Sequence, residues 1–237
     1  MKVIGIIPAR YASSRFPGKP LADILGKSMI QRVYEQCVKC TTLNEVIVST
    51  DDKRIYNHIL EFGGKVMMTS TTHQSGTDRC NEVIQAIQEQ YDIAINIQGD
   101  EPFINPKQID QVTSLFNSDK VSIATLAKKI EDEALITDEN SPKAIFDKNG
   151  IALNFCRKIA EYSTEKDYFK HIGIYGYLTQ TLAEICKLQP SENELKERLE
   201  QLRWLDNEYK IKVGITIFES LSVDTPEDII KIKALMR

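Results

Sequence analysis

The sequence lacks long apolar runs, an excess of positive charge and a paired set of cysteines. No apolar stretch approaches the roughly 20 residues that a membrane-spanning helix needs. Its five cysteines are scattered through a chain without secretory features, which predicts reduced thiols and a cytoplasmic location. The net charge of −4 argues against nucleic-acid binding, because such affinity comes from neutralising phosphates. We therefore expect neither a membrane nor a nucleic acid as a partner.

Two common nucleotide-binding motifs are also missing. A Walker A loop ends in Gly-Lys-Ser/Thr, but here Gly18-Lys19 is followed by Pro20. Gly26-Lys27-Ser28 has the right ending, yet Leu21 occupies the position of the first glycine. No G-x-G-x-x-G motif follows a predicted strand, so the dinucleotide fingerprint is absent. These absences disfavour a kinase-like P-loop protein and a classical dinucleotide-binding protein.

The pattern that is present predicts an α/β fold. The 237 residues are 42% hydrophobic, enough for a large core in one domain. Apolar runs alternate with helical patterns at the spacing of βαβ units, which favours a parallel sheet. We expect a first strand over residues 2–7, ended by Pro8, and further strands over 45–49, 65–69, 92–98 and 211–218. We also expect one long helix over 191–207 and a last helix that begins near Thr225.

A loop with three fixed positive charges follows the first predicted strand. It carries Arg10, Arg15 and Lys19, interleaved with apolar and proline residues. Open α/β sheets bind ligands at the carboxyl ends of their strands. Guanidinium and ammonium groups match phosphate oxygens, so we expect a polyanion such as a triphosphate. The alternative is a solvated basic loop, which the tight apolar setting disfavours.

The same stretch resembles a known family. Its pattern I-P-A-R-x-x-S-x-R-x-P-G-K-P-L is similar to that of the sugar-acid cytidylyltransferases, above all those for 3-deoxy-D-manno-octulosonate (Kdo). The resemblance implies a Rossmann-like nucleotidyltransferase fold, with a mixed, mostly parallel sheet flanked by helices. It implies a single domain over 1–237 with an inserted sugar-binding and dimerisation lobe at about 130–210. The implied CTP-binding residues are Ala9, Arg10, Ser13, Arg15, Lys19, Ser75, Arg79 and Gln98.

Two aspartates follow predicted strands. Asp100 lies in Asn-Ile-Gln-Gly-Asp-Glu-Pro, and Asp224 precedes Thr225-Pro226-Glu227-Asp228. Carboxylates at that edge of the sheet, facing a triphosphate, are typical ligands of Mg²⁺. The alternative roles are a turn residue for Asp100 and a helix cap for Asp224. The family motif favours metal binding, and with Lys19 these two residues are the predicted catalytic set.

The resemblance extends along the rest of the chain. His73 to Arg79 matches a segment beside the nucleotide, although a helix cap would also explain Ser75. Matching positions for the sugar acid are Gln98, Arg157, His171, Tyr175, Glu200 and Gln201, with Lys143 as a further basic position. Without the resemblance, His171 would be interpreted as structural, and Glu200 and Gln201 as part of a solvated helix face. The segment after Arg157 departs from the family pattern, which leaves the sugar open.

By resemblance, the expected reaction is CTP + Kdo → CMP-Kdo + pyrophosphate, with Mg²⁺ as cofactor, for lipopolysaccharide synthesis. The resemblance also implies a homodimer. A related sugar acid, of the 8-amino-Kdo or neuraminate type, is the alternative substrate. A non-catalytic nucleotide-sugar-binding regulator is a third reading. That reading predicts the loss of Lys19, Asp100 or Asp224, and all three are present.

Overall fold

A computed structural model describes residues 1–12, 16–118, 121–159, 167–219 and 221–235. The chain divides into two compact units, one formed by Met1–Asp110 with Ser220–Arg237 and the other by Gln111–Glu219. Ser13 and Arg15, two of the predicted CTP-binding residues, lie outside the described residues. So does most of the departure from the family pattern after Arg157. In the described parts of the chain, no helix has the length and apolar character to cross a membrane.

The strands are β1 Val3–Ala9, β2 Asp23–Ile24, β3 Lys27–Ser28, β4 Glu45–Thr50, β5 Val66–Met68, β6 Ile93–Asn96, β7 Ile123–Lys129, β8 Lys143–Phe146, β9 Ala152–Cys156, β10 Phe169–Leu178 and β11 Ile211–Ile215. The helices are α1 Met29–Val38, α2 Lys53–Glu61, α3 Gly76–Ala86, α4 Pro106–Ser114, α5 Ala134–Thr137, α6 Thr179–Ile185, α7 Glu192–Glu197, α8 Gln201–Asp206 and α9 Pro226–Leu235. Short 3₁₀ turns cover Lys19–Leu21 and Leu115–Asn117. The predicted α/β class is confirmed.

The first unit contains the parallel strand order β6-β1-β4-β5. Strand β1 is almost wholly buried, as its apolar sequence predicts. The prediction that Pro8 ends this strand is wrong, because β1 continues to Ala9, paired with Thr50. Pairing with β6 stops at Ile6, so beyond that residue β1 has a paired neighbour on one side only. A proline without an N–H is tolerated where the ladder is one-sided.

Side-chain caps fix where the helices of this unit begin. Ser28 accepts a hydrogen bond from the Gln31 N–H at the start of α1, as the sequence predicts. Asp52 accepts one from Arg54 at the start of α2. The last helix begins at Pro226, in the predicted place, because proline is preorganised for a first helical turn. These caps set the helices directly after the strand ends.

The second unit has a mixed sheet. Strand β7 pairs in parallel with β11 and antiparallel with β10, and β8 pairs antiparallel with β9 and β10. Because β7 and β11 are paired partners, the unit is larger than the lobe expected at about 130–210. The last strand therefore belongs to this unit, while α9 belongs to the first. A mixed, mostly parallel set of strands flanked by helices agrees with the predicted architecture.

The long helix predicted over 191–207 is wrong in one respect. It is broken into α7 and α8 at Arg198, whose backbone is left-handed with φ of 55°. Arg203 in α8 contacts Glu194 in α7 at 2.6 Å, which ties the two short helices together. Ser191 still caps α7 through a capping box with Glu194. Tertiary packing thus overrides a continuous helical pattern.

Candidate active site

The first unit brings the predicted catalytic residues into one cluster. The Lys19 ammonium donates to Asp100 Oδ2 at 2.8 Å and to the Val223 carbonyl oxygen at 2.8 Å. The same Nζ lies 3.6 Å from Asp224 Oδ1. Residues separated by about 200 positions along the chain therefore share one cation. The cluster is part-buried, with the Lys19 side chain 15% exposed and that of Asp224 43% exposed.

Close backbone packing positions Asp100. A Cβ on Gly99 would lie 2.7 Å from the Pro8 carbonyl oxygen, so only glycine permits this approach to the end of β1. The Val223 N–H donates to the Asp100 carbonyl at 2.9 Å. Val223 itself is fully buried in an apolar cluster with Ile24, Met29, Ile229 and Ile232. The core beneath the site therefore sets the distance between the two aspartates.

Lys19 is held by the turn that precedes it. Gly18 has a left-handed backbone with φ of 73°, and its N–H donates to the Tyr11 carbonyl at 2.9 Å. A side chain at Gly18 would also meet the Tyr11 ring at 3.1 Å. The Arg54 guanidinium lies over that ring, 3.2 Å from its centroid. Lys19 therefore leaves a fixed turn and reaches the carboxylates with few free backbone torsions.

The two aspartates fit the chemistry of a magnesium ion. They already converge on one positive charge, which is the arrangement a divalent cation requires. In the residues that the structure describes, no group of three or more His, Cys, Asp or Glu side chains forms a complete metal site. Magnesium is commonly bound by one or two carboxylates together with substrate phosphates. A pair of carboxylates is therefore enough to hold Mg²⁺ if substrate phosphates complete its coordination.

Asp228, in the first turn of α9, accepts hydrogen bonds at the start of that helix beside Asp224. The backbone N–H groups of Asp224 and Thr225 donate to Asp228 Oδ2 at 3.0 and 2.9 Å. Burial raises the pKa of the Asp228 carboxyl, but these hydrogen bonds outweigh it and leave the pKa below its usual range. The helix start thus has a carboxylate acceptor at Asp228. Asp224 can face Lys19 while the turn remains satisfied.

The predicted nucleotide-binding residues occupy different environments. Ala9 ends β1 and is buried, and Arg10 follows it with a side chain that is 42% exposed. Ser75 caps α3, since its Oγ accepts the Asp78 N–H at 3.1 Å. Gln98 follows β6 and is half-buried. The helix cap expected at Ser75 is therefore present, and a role of Ser75 in CTP binding stays a prediction.

Arg79 lies deeper than a ligand-contacting arginine would. Its side chain is 1% exposed. One Nη donates to Asp51 Oδ2 at 2.5 Å, while the other donates to Thr69 Oγ1 at 2.8 Å and to the Ser70 carbonyl at 3.2 Å. Both terminal nitrogens are thus engaged by protein groups. Asp51 was not predicted as a site residue, because an aspartate that follows a strand has the same sequence pattern as one that begins a helix.

The predicted sugar-binding residues lie in the second unit, except Gln98. His171 is buried on β10, with Nε2 3.0 Å from Thr125 Oγ1 and its ring edge-on to Phe155. Burial lowers the pKa of His171 to about 3, so the imidazole is neutral at physiological pH. Tyr175 is also buried and packs edge-on against Trp204. Its pKa is raised well above 10, first by burial and then by the Glu200 carboxylate.

Arg157 and Lys143 donate to backbone carbonyls. Arg157 Nε donates to the Glu197 carbonyl at 2.8 Å and Nη1 to the Glu139 carbonyl at 2.9 Å. Lys143 is buried, donates to the Asp138 carbonyl at 2.6 Å, and has a pKa lowered by burial. A polar cavity of about 430 Å³ opens beside Arg157 within this unit. Arg157 thus contacts the backbone at the break between α7 and α8 and also lines this cavity.

Glu200 and Gln201 lie at the start of α8. Glu200 is half-buried, whereas Gln201 is 3% exposed. The Nε2 of Gln201 has no hydrogen-bond partner among the described residues. An unsatisfied buried amide is costly, and a ligand hydroxyl would satisfy it. This placement differs from the solvated helix face that the sequence alone suggests.

Comparisons with known proteins agree with the geometry. Residues 4–211 match the family model described as cytidylyltransferase. The chain is 53% identical to the 3-deoxy-manno-octulosonate cytidylyltransferase of Parabacteroides distasonis, covering 100% of this chain and 98% of that one. It is 48% identical to the 8-amino-3,8-dideoxy-manno-octulosonate cytidylyltransferase of Shewanella halifaxensis, covering 97% and 96%.

Solved structures place the fold. A structure of CMP:2-keto-3-deoxy-manno-octonic acid synthetase complexed with CTP has a TM-score of 0.93 and 38% identity, covering 100% of this chain and 98% of that one. A 4-diphosphocytidyl-2C-methyl-D-erythritol synthase from Anaerococcus prevotii, with a TM-score of 0.65 and 16% identity, shares the fold alone. The nucleotidyltransferase fold expected from the resemblance is confirmed. The chain belongs to the cytidylyltransferase family.

Proposed function

We propose that the protein transfers CMP from CTP to the anomeric hydroxyl of Kdo, giving CMP-Kdo and pyrophosphate for lipopolysaccharide synthesis. The observation that carries the proposal is the Lys19–Asp100–Asp224 cluster in the first unit. The high identity to relatives that bear the name of this activity supports it. A regulator without catalysis would have no need of the clustered charges.

The chain's own residues would act by positioning and electrostatics. The anomeric oxygen attacks the α-phosphorus, its bond to phosphorus forms, and the bond to the pyrophosphate oxygen breaks. The hydroxyl proton is released, and pyrophosphate leaves with its negative charge. Arg10, Arg15 and Lys19 supply positive charge for the triphosphate. Such charges would stabilise the negative charge that develops on the leaving pyrophosphate.

Asp100 and Asp224 would hold Mg²⁺. A bound magnesium ion would neutralise phosphate charge and orient oxygen ligands at the α-phosphorus. The Lys19 ammonium lies at the position between the two carboxylates. Two cations cannot share that position without strong repulsion, so Lys19 must turn away from it when the metal is bound. This exchange would release Lys19 toward the triphosphate.

The sugar acid would be recognised by residues of the second unit, while a role for Gln98, which lies in the first unit, remains a prediction from the resemblance. His171 and Tyr175 offer neutral hydrogen-bonding groups, and the buried Gln201 amide offers an unsatisfied donor. Neutral donors and acceptors suit sugar hydroxyls. Lys143 and Arg157 supply positive charge for a carboxylate. A homodimer and a cytoplasmic location remain predictions.

Pyrophosphate release with CTP and a panel of sugar acids, with and without Mg²⁺, tests the proposal. We expect release with Kdo and CTP, and none after chelation of divalent metal. Release with CTP and no acceptor sugar acid would contradict the transfer reaction. Equal rates with and without divalent metal would contradict the role of Asp100 and Asp224.

A second substrate has a specific observation in its favour. The relative from Shewanella halifaxensis, whose name specifies the 8-amino-3,8-dideoxy sugar, is nearly as similar as those named for Kdo. The two acceptors differ by an amine in place of one hydroxyl, and such a group is discriminated only by groups that contact it. Competition between the two sugars in the same assay decides which has the larger kcat/KM.

A further inference from the structure

One carboxylate at the strand ends of the first unit has no part in the function proposed so far. Asp51 follows β4, and its side chain is 13% exposed. Its Oδ2 accepts a hydrogen bond from Arg79 at 2.5 Å and lies 3.8 Å from Arg10 Nε. Asp51 thus stands between a buried guanidinium and one that reaches solvent at the end of β1.

The buried side of this arrangement is rigid. Arg79 projects from the first turn of α3 and also donates to Thr69 and to the Ser70 carbonyl, just after β5. A buried guanidinium needs a counter-charge, and Asp51 is the carboxylate that contacts it. Arg79 therefore anchors Asp51 while tying the ends of β4 and β5 to α3. With both terminal nitrogens engaged, Arg79 acts through Asp51 rather than on a ligand.

Positive and negative charges alternate across these three neighbouring side chains. Arg79, Asp51 and Arg10 sum to one positive charge. A lone aspartate beside Arg10 would orient it but would cancel its attraction for phosphate. Because Arg79 already balances Asp51, the carboxylate can orient Arg10 and leave the positive potential at the strand ends in place. Orientation also lowers the conformational entropy that a long, half-exposed arginine loses when it binds a ligand.

We infer that Asp51 is a positioning residue for the triphosphate of the nucleotide. It holds the Arg10 guanidinium at the carboxyl edge of the sheet, with Arg79 as its buried counter-charge. The inference rests on the proposed function, since it assumes that Arg10 meets the phosphates of CTP. It differs from the implied direct contact of Arg79 with CTP.

The test measures Kd for CTP by calorimetry and KM and kcat by pyrophosphate release. Asp51→Asn should raise Kd and KM for CTP about fivefold, the upper scale of a partly exposed ion pair, with kcat changed less than about twofold. In an Arg10→Ala background, Asp51→Asn should add less than about twofold. An equal effect of Asp51→Asn in both backgrounds would overturn the inference, because Asp51 would then act independently of Arg10.

Two further variants separate the expected effect on CTP binding from a loss of folding. Asp51→Asn leaves Arg79 without its counter-charge, so the double variant Asp51→Asn/Arg79→Gln removes both buried charges together. It should show the same rise in KM as Asp51→Asn, and an unchanged KM in the folded double variant would overturn the inference. Asp92→Asn is the matched control, because Asp92 precedes β6 at the opposite edge of the sheet and accepts the Lys2 N–H at 2.6 Å. It should leave KM for CTP unchanged.

The failure of this inference is distinguishable from failure of the proposed function. If the wild-type protein releases no pyrophosphate from CTP, the proposed function itself is wrong. If the wild type is active and the Asp51 variants behave like Asp92→Asn, only the positioning role of Asp51 is wrong.

Discussion

The two units hold their candidate residues in contrasting ways. In the first unit, charged side chains converge on one another and remain partly exposed, as Lys19 does with Asp100 and Asp224. In the second unit, His171 and Tyr175 are buried among aromatic rings and kept neutral. The contrast separates partly exposed charged groups in the first unit from buried, neutral hydrogen-bonding groups in the second.

Removing the shared cation from the first unit should have a large effect. Lys19→Ala is expected to lower kcat by about two to three orders of magnitude, the scale of one preorganised charge contact. Without CTP, the variant should bind Mn²⁺ more tightly than the wild type, because no ammonium competes for the carboxylates. Steady-state kinetics and metal titration measure the two effects. Near-normal turnover in a folded variant would remove Lys19 from the mechanism.

The nucleotide preference should be a somewhat smaller effect. CTP is expected to exceed ATP and GTP by about a hundredfold in kcat/KM, the scale of steric discrimination. A Cβ on Gly76 would lie 3.3 Å from Pro8, so the start of α3 lies close to β1 and leaves little space for a purine. Pyrophosphate release with each triphosphate is the measurement. Comparable use of ATP would contradict cytidylyl specificity while leaving nucleotidyl transfer intact.

A further prediction concerns the neutral residues of the second unit. The folded-state pKa of His171 is about 3, below the unfolded value of 6.5, so the unfolded state binds more protons between these limits. Its contribution to stability is complete above pH 6.5 and is lost as the pH falls toward 3. The loss is at most about 1.4 kcal/mol per pH unit.

Denaturant unfolding at several pH values checks this expectation. His171→Asn keeps a hydrogen-bonding side chain but cannot titrate in this range, so its unfolding free energy should vary less steeply between pH 6.5 and 4. Parallel curves for the wild type and the variant would show that protonation of His171 is not coupled to folding.

Local rules predicted the first unit well because its features are local. A buried strand followed by a basic loop, and an aspartate soon after β6, place Lys19 and Asp100 at one edge. The expectation that Asp224 directly follows a strand is wrong, because β11 ends at Ile215, and Asp224 joins the cluster from the turn before α9. The predicted end of β1 at Pro8 was wrong, since the one-sided pairing there depends on where β6 ends. Asp51 was missed because its partner Arg79 comes from another element, a contact that the spacing of residues does not indicate.

The second unit was less predictable because tertiary contacts decide it. A continuous helical pattern predicted one helix, yet the break at Arg198 follows from contacts such as those of Arg157 with the Glu197 carbonyl. Gln201 is buried although its segment is strongly charged. The resemblance identified the residues here, while their burial and hydrogen bonds required the structure.

The central claim is that Asp100, which follows β6, and Asp224, which precedes α9, hold Mg²⁺ for transfer of CMP. The most direct measurement is turnover of Asp224→Asn, with Asp100→Asn alongside, at limiting Mg²⁺ together with the melting temperature. Asparagine keeps the shape and one acceptor oxygen but removes the charge that binds a hard cation. We predict loss of magnesium-dependent activity with normal melting in both variants. Full activity of Asp224→Asn at limiting Mg²⁺, with normal melting, would contradict the account, because a charge that the metal site requires would then be dispensable.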